Sequence, residues 1–286
     1  MFAECVVNIS EGRDRDLIDA VAAAAGPELL DVHADAHHHR AVITLGGPLA
    51  AVEQAARSVA AEAVRRIDLR THQGVHPRFG AVDVVPFVPL GPDRAAPALP
   101  AAPGGMDAAV AARDRFARWA ADDLAVPCFL YGPGRTLPEV RRGAFTTLVP
   151  DTGPSRPHPT AGAMAVGARP VLVAYNVWID APGGAAALAR TVAAAIRAPA
   201  IRALGLDLDG AAQVSCNLVD PARTGPDHVY DSIADLVARA GGTVVRAELV
   251  GLAPAATLSA VPRERWAELD LAVDRTIEAR LDARRR

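Results

Sequence analysis

The residues best suited to chemistry lie between Asp68 and Leu90, DLRTHQGVHPRFGAVDVVPFVPL, where His72, His76 and Arg78 share a turn with Gly74 and Gly80 ahead of an apolar run. A residue that precedes proline is driven out of the helical region into extended backbone. His76, followed by Pro77, is therefore expected in a restricted, non-helical conformation. Residues two apart in extended chain point to the same side, so His76 and Arg78 should project together. Gly74 and Gly80 allow a tight turn or a close approach to a bound molecule. A neighbouring guanidinium disfavours the imidazolium form, which leaves His76 neutral near pH 7, the state a general base requires.

Two other stretches could carry chemistry. Asp31, His33, Asp35, His37, His38 and His39 form a dense cluster before Arg40. Metal sites need neutral His and carboxylate ligands in fixed geometry. Contiguous His on extended chain alternate between faces, so at most His37 and His39, or His33 and Asp35, could share one ion. Such a centre would suit a metal-dependent hydrolase. A polar turn beside a site elsewhere is the other reading, with Arg40 open to a carboxylate. Pro150 to Arg169, PDTGPSRPHPTAGAMAVGAR, is rich in Gly and Pro and reads as a loop or linker that also holds Arg156, His158 and Thr160.

These stretches have to be positioned by elements whose periodicity is readable. Ala3 to Ile9 is expected as a strand, Arg13 to Ala25 as a helix closed by Gly26-Pro27, and Glu28 to Val32 and Ala41 to Leu45 as strands. Leu49 to Ile67 follows as a helix and Val82 to Val88 as a strand. A surface loop from Leu90 to Gly105, a helix from Asp107 to Leu124 and a strand from Val126 to Tyr131 complete an enlarged split-βαβ unit. The order then repeats: strand Pro170 to Ile179, helix Gly184 to Ala198, strands Ile201 to Leu206 and Ala211 to Val219, helix Pro226 to Ala240, strand Thr243 to Val250. Trp266, Leu269, Val273, Ile277 and Leu281 mark a helical stripe, so Pro262 to Arg286 should be one long docked helix.

The fold class is thus α+β: two α/β subdomains, each a sheet with helices on a split-βαβ, ferredoxin-like order, with a ligand cleft between them. The subdomains are expected at 1–168 and 169–286, a division in keeping with 286 residues. A net charge of -3 with Arg spread along the chain speaks against nucleic acid. No apolar run is long enough to cross a bilayer, and the N-terminus lacks the order of a secretory signal, so a cytoplasmic protein is expected. Cys5, Cys128 and Cys216 have no metal-ligand spacing and should be reduced core thiols.

His72, Gly74, His76, Pro77, Arg78, Gly80, Ala81, Asp83, Pro86, Phe87 and Pro89 resemble the HxGxHPRxGAxDxxPFxP signature of the glutamate formiminotransferase (glutamate formimidoyltransferase) family. The likeness runs along the chain through ECVVNISEG at Glu4 to Gly12, Leu29 to Val32 with Arg40, Arg135 to Pro138, Gly167 to Arg169, Gln213 to Ser215 with Asn217, and Leu249 to Leu252. The resemblance implies transfer of a formimino group from N-formimino-L-glutamate to N5 of tetrahydrofolate, the co-substrate, in histidine degradation and one-carbon metabolism. It implies no metal, no membrane partner, a homodimer, and the stand-alone bacterial form of what is elsewhere the transferase part of formiminotransferase-cyclodeaminase.

By resemblance His76 is the catalytic base. Arg40 and Arg78 would bind the donor's carboxylates, with Asn8 and Asp31 ordering the catalytic turn. Gly153, Pro154, Ser155, Arg156, His158, Pro159, Thr160 and Gly162 would lie along the folate, with a second strip at Arg202 and Gly205. Thr152, Pro157 and Ala161 stand where relatives carry aromatic residues, Val75 where the animal enzyme has Glu, and His39 where Asn is common. A folate-fold protein that binds a pterin without catalysis is the alternative.

Overall fold

The computed structural model describes residues 1–73, 78–91, 104–208 and 210–284. His76, with Gly74, Val75 and Pro77, lies outside the described residues, as does most of the loop expected between Leu90 and Gly105. Two compact units emerge, Met1–Pro170 with Arg284, and Val171–Ala283.

The first unit runs β1 (Phe2–Ile9), α1 (Arg15–Ala23), β2 (Leu29–Asp35), β3 (Arg40–Pro48), α2 (Leu49–Arg66), β4 (Val82–Pro89), α3 (Gly105–Leu124), β5 (Cys128–Tyr131), α4 (Leu137–Gly143) and β6 (Met164–Ala168). Its six strands lie in the order β2-β3-β1-β4-β6-β5. The first four are the antiparallel split-βαβ core, and β6 and β5 extend it in parallel beyond β4. Cys5, Val7, Ile9, Ile43 and Leu45 point to one face, against Ile18 and Val21 of α1, Val52 and Val59 of α2 and Phe116 of α3. Directly opposed residues share a face. The pairs His33 with Val42, Asp35 with Arg40, and Asn8 with Val42 and Val84 therefore turn to the other face, away from the helices. There Val84, Phe129 and Tyr131 pack on Val140 of α4.

The second unit runs β7 (Val173–Asp180), α5 (Ala185–Ile196), β8 (Ile201–Leu208), β9 (Ala211–Leu218), α6 (Pro226–Arg239) and β10 (Thr243–Val250), then α7 (Ala255–Ser259) and α8 (Ile277–Ala283). Its antiparallel order β10-β7-β9-β8 is the ferredoxin-like one read from the sequence. Tyr175, Val177, Val214 and Cys216 meet Val192 of α5 and Val229 and Ile233 of α6. The three cysteines are free and buried, and burial pushes the Cys128 and Cys216 thiols up to about 12, so they serve as core residues.

The C-terminal expectation is corrected. No long helix spans 262–284; two short 3-10 turns and α8 stand in its place. Asp270 adopts a left-handed φ of 54°, which ends any helix at that point. Its Oδ2 accepts the Leu249 N–H at 2.8 Å and Arg275 Nη1 at 2.7 Å, fastening the segment to β10. Leu269, Ile277 and Leu281 are buried as the stripe requires, but Val273 is 55% exposed. Helix α4 and strand β6 were both missed. The first starts on a full capping box, in which the Glu139 backbone N–H donates to Thr136 Oγ1 and Glu139 Oε2 accepts the Thr136 N–H.

Gly80 ties the segment before β4 to the chain leading into β6. A Cβ there would lie 1.9 Å from the Ala163 carbonyl oxygen, which is backbone and cannot step aside. The Ala163 N–H donates to Phe79 O at 3.1 Å and the Ala81 N–H to Ala161 O at 2.9 Å on either side of it. Gly80→Ala is expected to cost about 3 kcal/mol, the upper range for an over-packed site. Urea unfolding monitored by circular dichroism checks this, and an unchanged midpoint would show the approach to be looser than described.

Candidate active site

The turn between β2 and β3 is built by one carboxylate. Asp35 Oδ1 accepts the backbone N–H groups of His37 at 2.8 Å and His38 at 2.9 Å, so the chain leaves β2 in a side-chain-held turn. The three consecutive imidazoles consequently part company. His37 is exposed, while His38 is buried with Nε2 3.7 Å from Asp35 Oδ2. His39 takes a left-handed φ of 50° and folds inward. Strand alternation, from which His37 and His39 were expected on one side, does not apply in a turn. Among the described residues, no three His, Cys, Asp or Glu side chains are grouped to hold a metal ion.

His39 is met by the chain entering α1. Glu11 Oε1 accepts the N–H groups of Gly12, Arg13 and Asp14 at 2.8, 2.7 and 3.1 Å, a carboxylate cradled at a helix start. The Gly12 N–H also lies 3.1 Å from His39 Nδ1, with Glu11 Oε1 at 3.2 Å from the same nitrogen. Only glycine permits this approach, since a Cβ on Gly12 would stand 2.2 Å from Asp35 O and 2.5 Å from the Arg40 nitrogen. The His39 ring stacks on His72, centroids 4.0 Å apart and planes at 21°. His72 Nε2 lies 3.2 Å from His39 O, which makes that nitrogen the donor and leaves Nδ1, buried, without a partner among the described residues.

Both imidazoles are held below the usual histidine range. For His39, burial outweighs the upward pull of Glu11, and Arg13 and Arg78 push the same way as burial. For His72, burial leads, with His39 and Arg78 adding to it. The pair is neutral at pH 7, in keeping with a Nδ1 on His39 that accepts from Gly12.

Beside this pair sits Asp83, 1% exposed, at the start of β4 where the β1–β4 register shifts between Asn8 and Ile9. Its Oδ1 accepts the Phe79 N–H at 2.6 Å and its Oδ2 pairs with Arg141 Nη2 of α4 at 2.5 Å. Its charge also reaches Arg40 and Arg78, holding both guanidiniums up against the lowering effect of their burial. Ser10, His38, His39, Arg40, Arg78 and Asp83 line a small pocket open to solvent. The structure thus places Arg40 and Arg78 on the lining of one pocket. Asp83, Arg141, Ser10 and Glu11 were given no role from the sequence, and His38 was considered there only within the His/Asp cluster. A lone Asp inside the apolar run GAVDVVPF was the signal for the first, and the Thr136-x-x-Glu139 capping box was the signal for the helix that carries the second.

The other expected residues are distributed as follows. Asn8 sits on β1 and donates from Nδ2 to Val6 O at 2.8 Å, and Asp31 sits half-buried on β2 opposite Thr44. Gly153, Pro154, Ser155, Arg156 and Pro159 are exposed on one loop, with His158 and Thr160 half-buried. His158 and Gly162 exchange backbone hydrogen bonds of 2.7 and 3.0 Å, His158 Nδ1 accepts the Ala161 N–H at 3.0 Å, and the Leu69 N–H donates to Thr160 O at 2.9 Å. This end of the loop is therefore sewn to the segment bearing His72 and Arg78. In the second unit, Arg202 is exposed on β8. A Cβ on Gly205 would come 2.2 Å from the Arg190 nitrogen, so packing of β8 on α5 is enough to require glycine there.

With this geometry in view, the comparisons with known proteins identify the family. Residues 2–169 match the Formiminotransferase domain, N-terminal subdomain. The chain is 34% identical over 283 residues to a glutamate formimidoyltransferase of Streptococcus pyogenes serotype M1, covering 90% of each chain. A glutamate formimidoyltransferase of Thermoplasma acidophilum is 32% identical, with 88% of each covered. The formimidoyltransferase-cyclodeaminase of Rattus norvegicus is 34% identical across 88% of this chain and 50% of its own length. This chain belongs to the formiminotransferase family.

Proposed function

We propose that the protein is a glutamate formimidoyltransferase, moving the formimino group of N-formimino-L-glutamate to N5 of tetrahydrofolate and releasing 5-formiminotetrahydrofolate and L-glutamate. The observation that carries the reading is 34% identity over nine-tenths of a glutamate formimidoyltransferase of similar length. The paired guanidiniums of Arg40 and Arg78 at one pocket support a donor with carboxylates.

In the reaction, the folate amine adds to the amidine carbon to give a tetrahedral intermediate, and the glutamate nitrogen is protonated as its bond to that carbon breaks. We assign the proton transfers to His76, taking the proton from N5 and returning it to the leaving nitrogen. Arg40 and Arg78 hold the donor, Asn8 and Asp31 order the turn, and the loop from Gly153 to Gly162 binds folate together with Arg202 and Gly205. Holding two reactants in register supplies the larger share of a bimolecular transfer. The protein works in the cytoplasm as a homodimer, without a metal.

Incubation of the purified protein with both substrates, followed through the folate absorbance, is expected to show transfer; no spectral change with active tetrahydrofolate would refute the reading. His76→Ala should lower turnover by roughly two to four orders of magnitude with folate binding retained. Wild-type turnover in that variant would remove His76 from the mechanism.

The lowered pKa values of His39 and His72 have a sign that can be checked. The unfolded chain takes up these protons near 6.5 and the folded chain only below that, so the unfolded state binds more protons as pH falls. The stability contributed is complete above about 6.5 and is lost progressively beneath it. The urea midpoint should drop between pH 7.5 and 5.5, and His39→Asn, which cannot titrate, should flatten that drop. Equal slopes for variant and parent would mean the ring titrates normally.

A further inference from the structure

Each sheet ends in a strand that pairs on one side only: β5 in the first unit and β10 in the second. The outer backbone groups of such a strand are a template for a further strand, including one from another molecule. At one leucine in each strand those groups are taken up by side chains, and in the same way.

On β5, the Leu130 N–H donates to Asp151 Oδ2 at 2.8 Å and Leu130 O accepts Arg135 Nε at 2.9 Å, while Arg135 Nη2 pairs with that same Asp151 oxygen. On β10, the Leu249 N–H donates to Asp270 Oδ2 at 2.8 Å, Leu249 O accepts Arg275 Nη2, and Arg275 Nη1 pairs with Asp270 Oδ2 at 2.7 Å. Each Arg–Asp pair offers one acceptor and one donor to a single residue, as the backbone of a neighbouring strand would. Backbone closes the adjoining positions. Cys128 exchanges bonds of 2.9 and 3.3 Å with Thr152, and Gly132 bonds of 2.8 and 3.3 Å with Arg135. Beyond β10, the Ala253 N–H donates to Arg275 O at 3.1 Å and Ala253 O accepts the Ile277 N–H at 3.0 Å.

We infer that the two pairs are edge covers, which keep a strand of a second copy of this chain from adding to β5 or β10. Asp151 and Asp270 have 30% and 42% of their side-chain surface in water, and ion pairs that exposed hold a fold together only weakly. Stability alone therefore does not account for the same device on two unlike sheets. Without its cover β10 would be an adhesive edge, since the apolar Val245 on it is 62% exposed. The covers direct any pairing of copies to surfaces other than these two edges.

Sedimentation velocity on the full chain, over a range of concentrations, tests this. Asp270→Gly, in which glycine suits the left-handed φ of that position, and Arg275→Ala each open the β10 edge. Joining two opened edges is expected to raise the mass about twofold over the parent's as concentration rises. Val245→Lys added to either variant places a charge on the same strand and should return the mass to the parent's. Arg135→Ala opens β5 in the first unit and should show the same rise. A folded variant that keeps the parent's mass at every concentration overturns the cover at that edge. A rise in the β10 variants that Val245→Lys leaves in place overturns it as well, since association then runs through some other surface. If Asp270→Gly and Arg275→Ala both lose their circular dichroism, the pair holds the fold rather than guarding an edge, and the inference fails.

Discussion

A buried carboxylate at position 83 organises the polar half of the first unit. Asp83 has 1% of its surface exposed, and burying such a polar group is costly unless it is hydrogen-bonded; a backbone N–H from Phe79 and a guanidinium from Arg141 meet it. The same negative charge acts on Arg40 and Arg78, which line one pocket with it. Replacing Asp83 with an apolar residue would remove the carboxylate whose charge acts on Arg40, Arg78 and Arg141. The carboxylate lies next to the irregular register between β1 and β4, where the extra residue turns a side chain out of the strand's simple alternation.

A second constraint works through burial rather than charge. Glu11 is close enough to His39 Nδ1 to favour a proton there, yet its oxygen already serves three backbone N–H groups and the ring is mostly out of water. Desolvation wins, and the two stacked rings stay neutral. This arrangement depends on Gly12 having no side chain, because the lead-in to α1 presses directly on the backbone of Asp35 and Arg40. Cationic Arg40 and Arg78 therefore stand beside imidazoles that add no further positive charge.

The sequence was legible wherever one face of an element is buried. Both split-βαβ units follow from apolar alternation in strands such as Ala3 to Ile9 and from Ala-rich stripes in the helices, and the strand orders confirm them. It misled where a side chain does the work of backbone. Asp270 pins its segment to β10 and breaks a stripe whose spacing alone reads as one helix. Asp35 turns three consecutive His in three directions, where extended chain would have alternated them. Helix α4 and strand β6 were missed because each is short, and β6 follows directly from a Gly and Pro loop whose composition masks it. Of the proposed site, Arg40 and Arg78 came from the family resemblance; that the buried Asp83 lines one pocket with them needed three dimensions.

The loop and the pocket proposed for folate and for the donor's carboxylates pose different recognition problems. A carboxylate has charge and direction, so fixed guanidiniums on strands and at the foot of β4 can place it with little loss of entropy. A pterin ring is flat and largely neutral, and stacking on aromatic side chains is the usual means of holding it. The loop from Thr152 to Gly162 has Thr152, Pro157 and Ala161 at the positions where such rings would stand, and its middle is exposed and free of Phe, Tyr and Trp. What it does have is rigidity, from the His158 to Gly162 bridge and the Leu69 to Thr160 bond. If the loop lies along the folate, backbone groups and shape replace stacking there, and more of the alignment energy must come from the anionic end of the donor. On the proposed reading, that end would meet the pocket where Arg40, Arg78 and Asp83 converge.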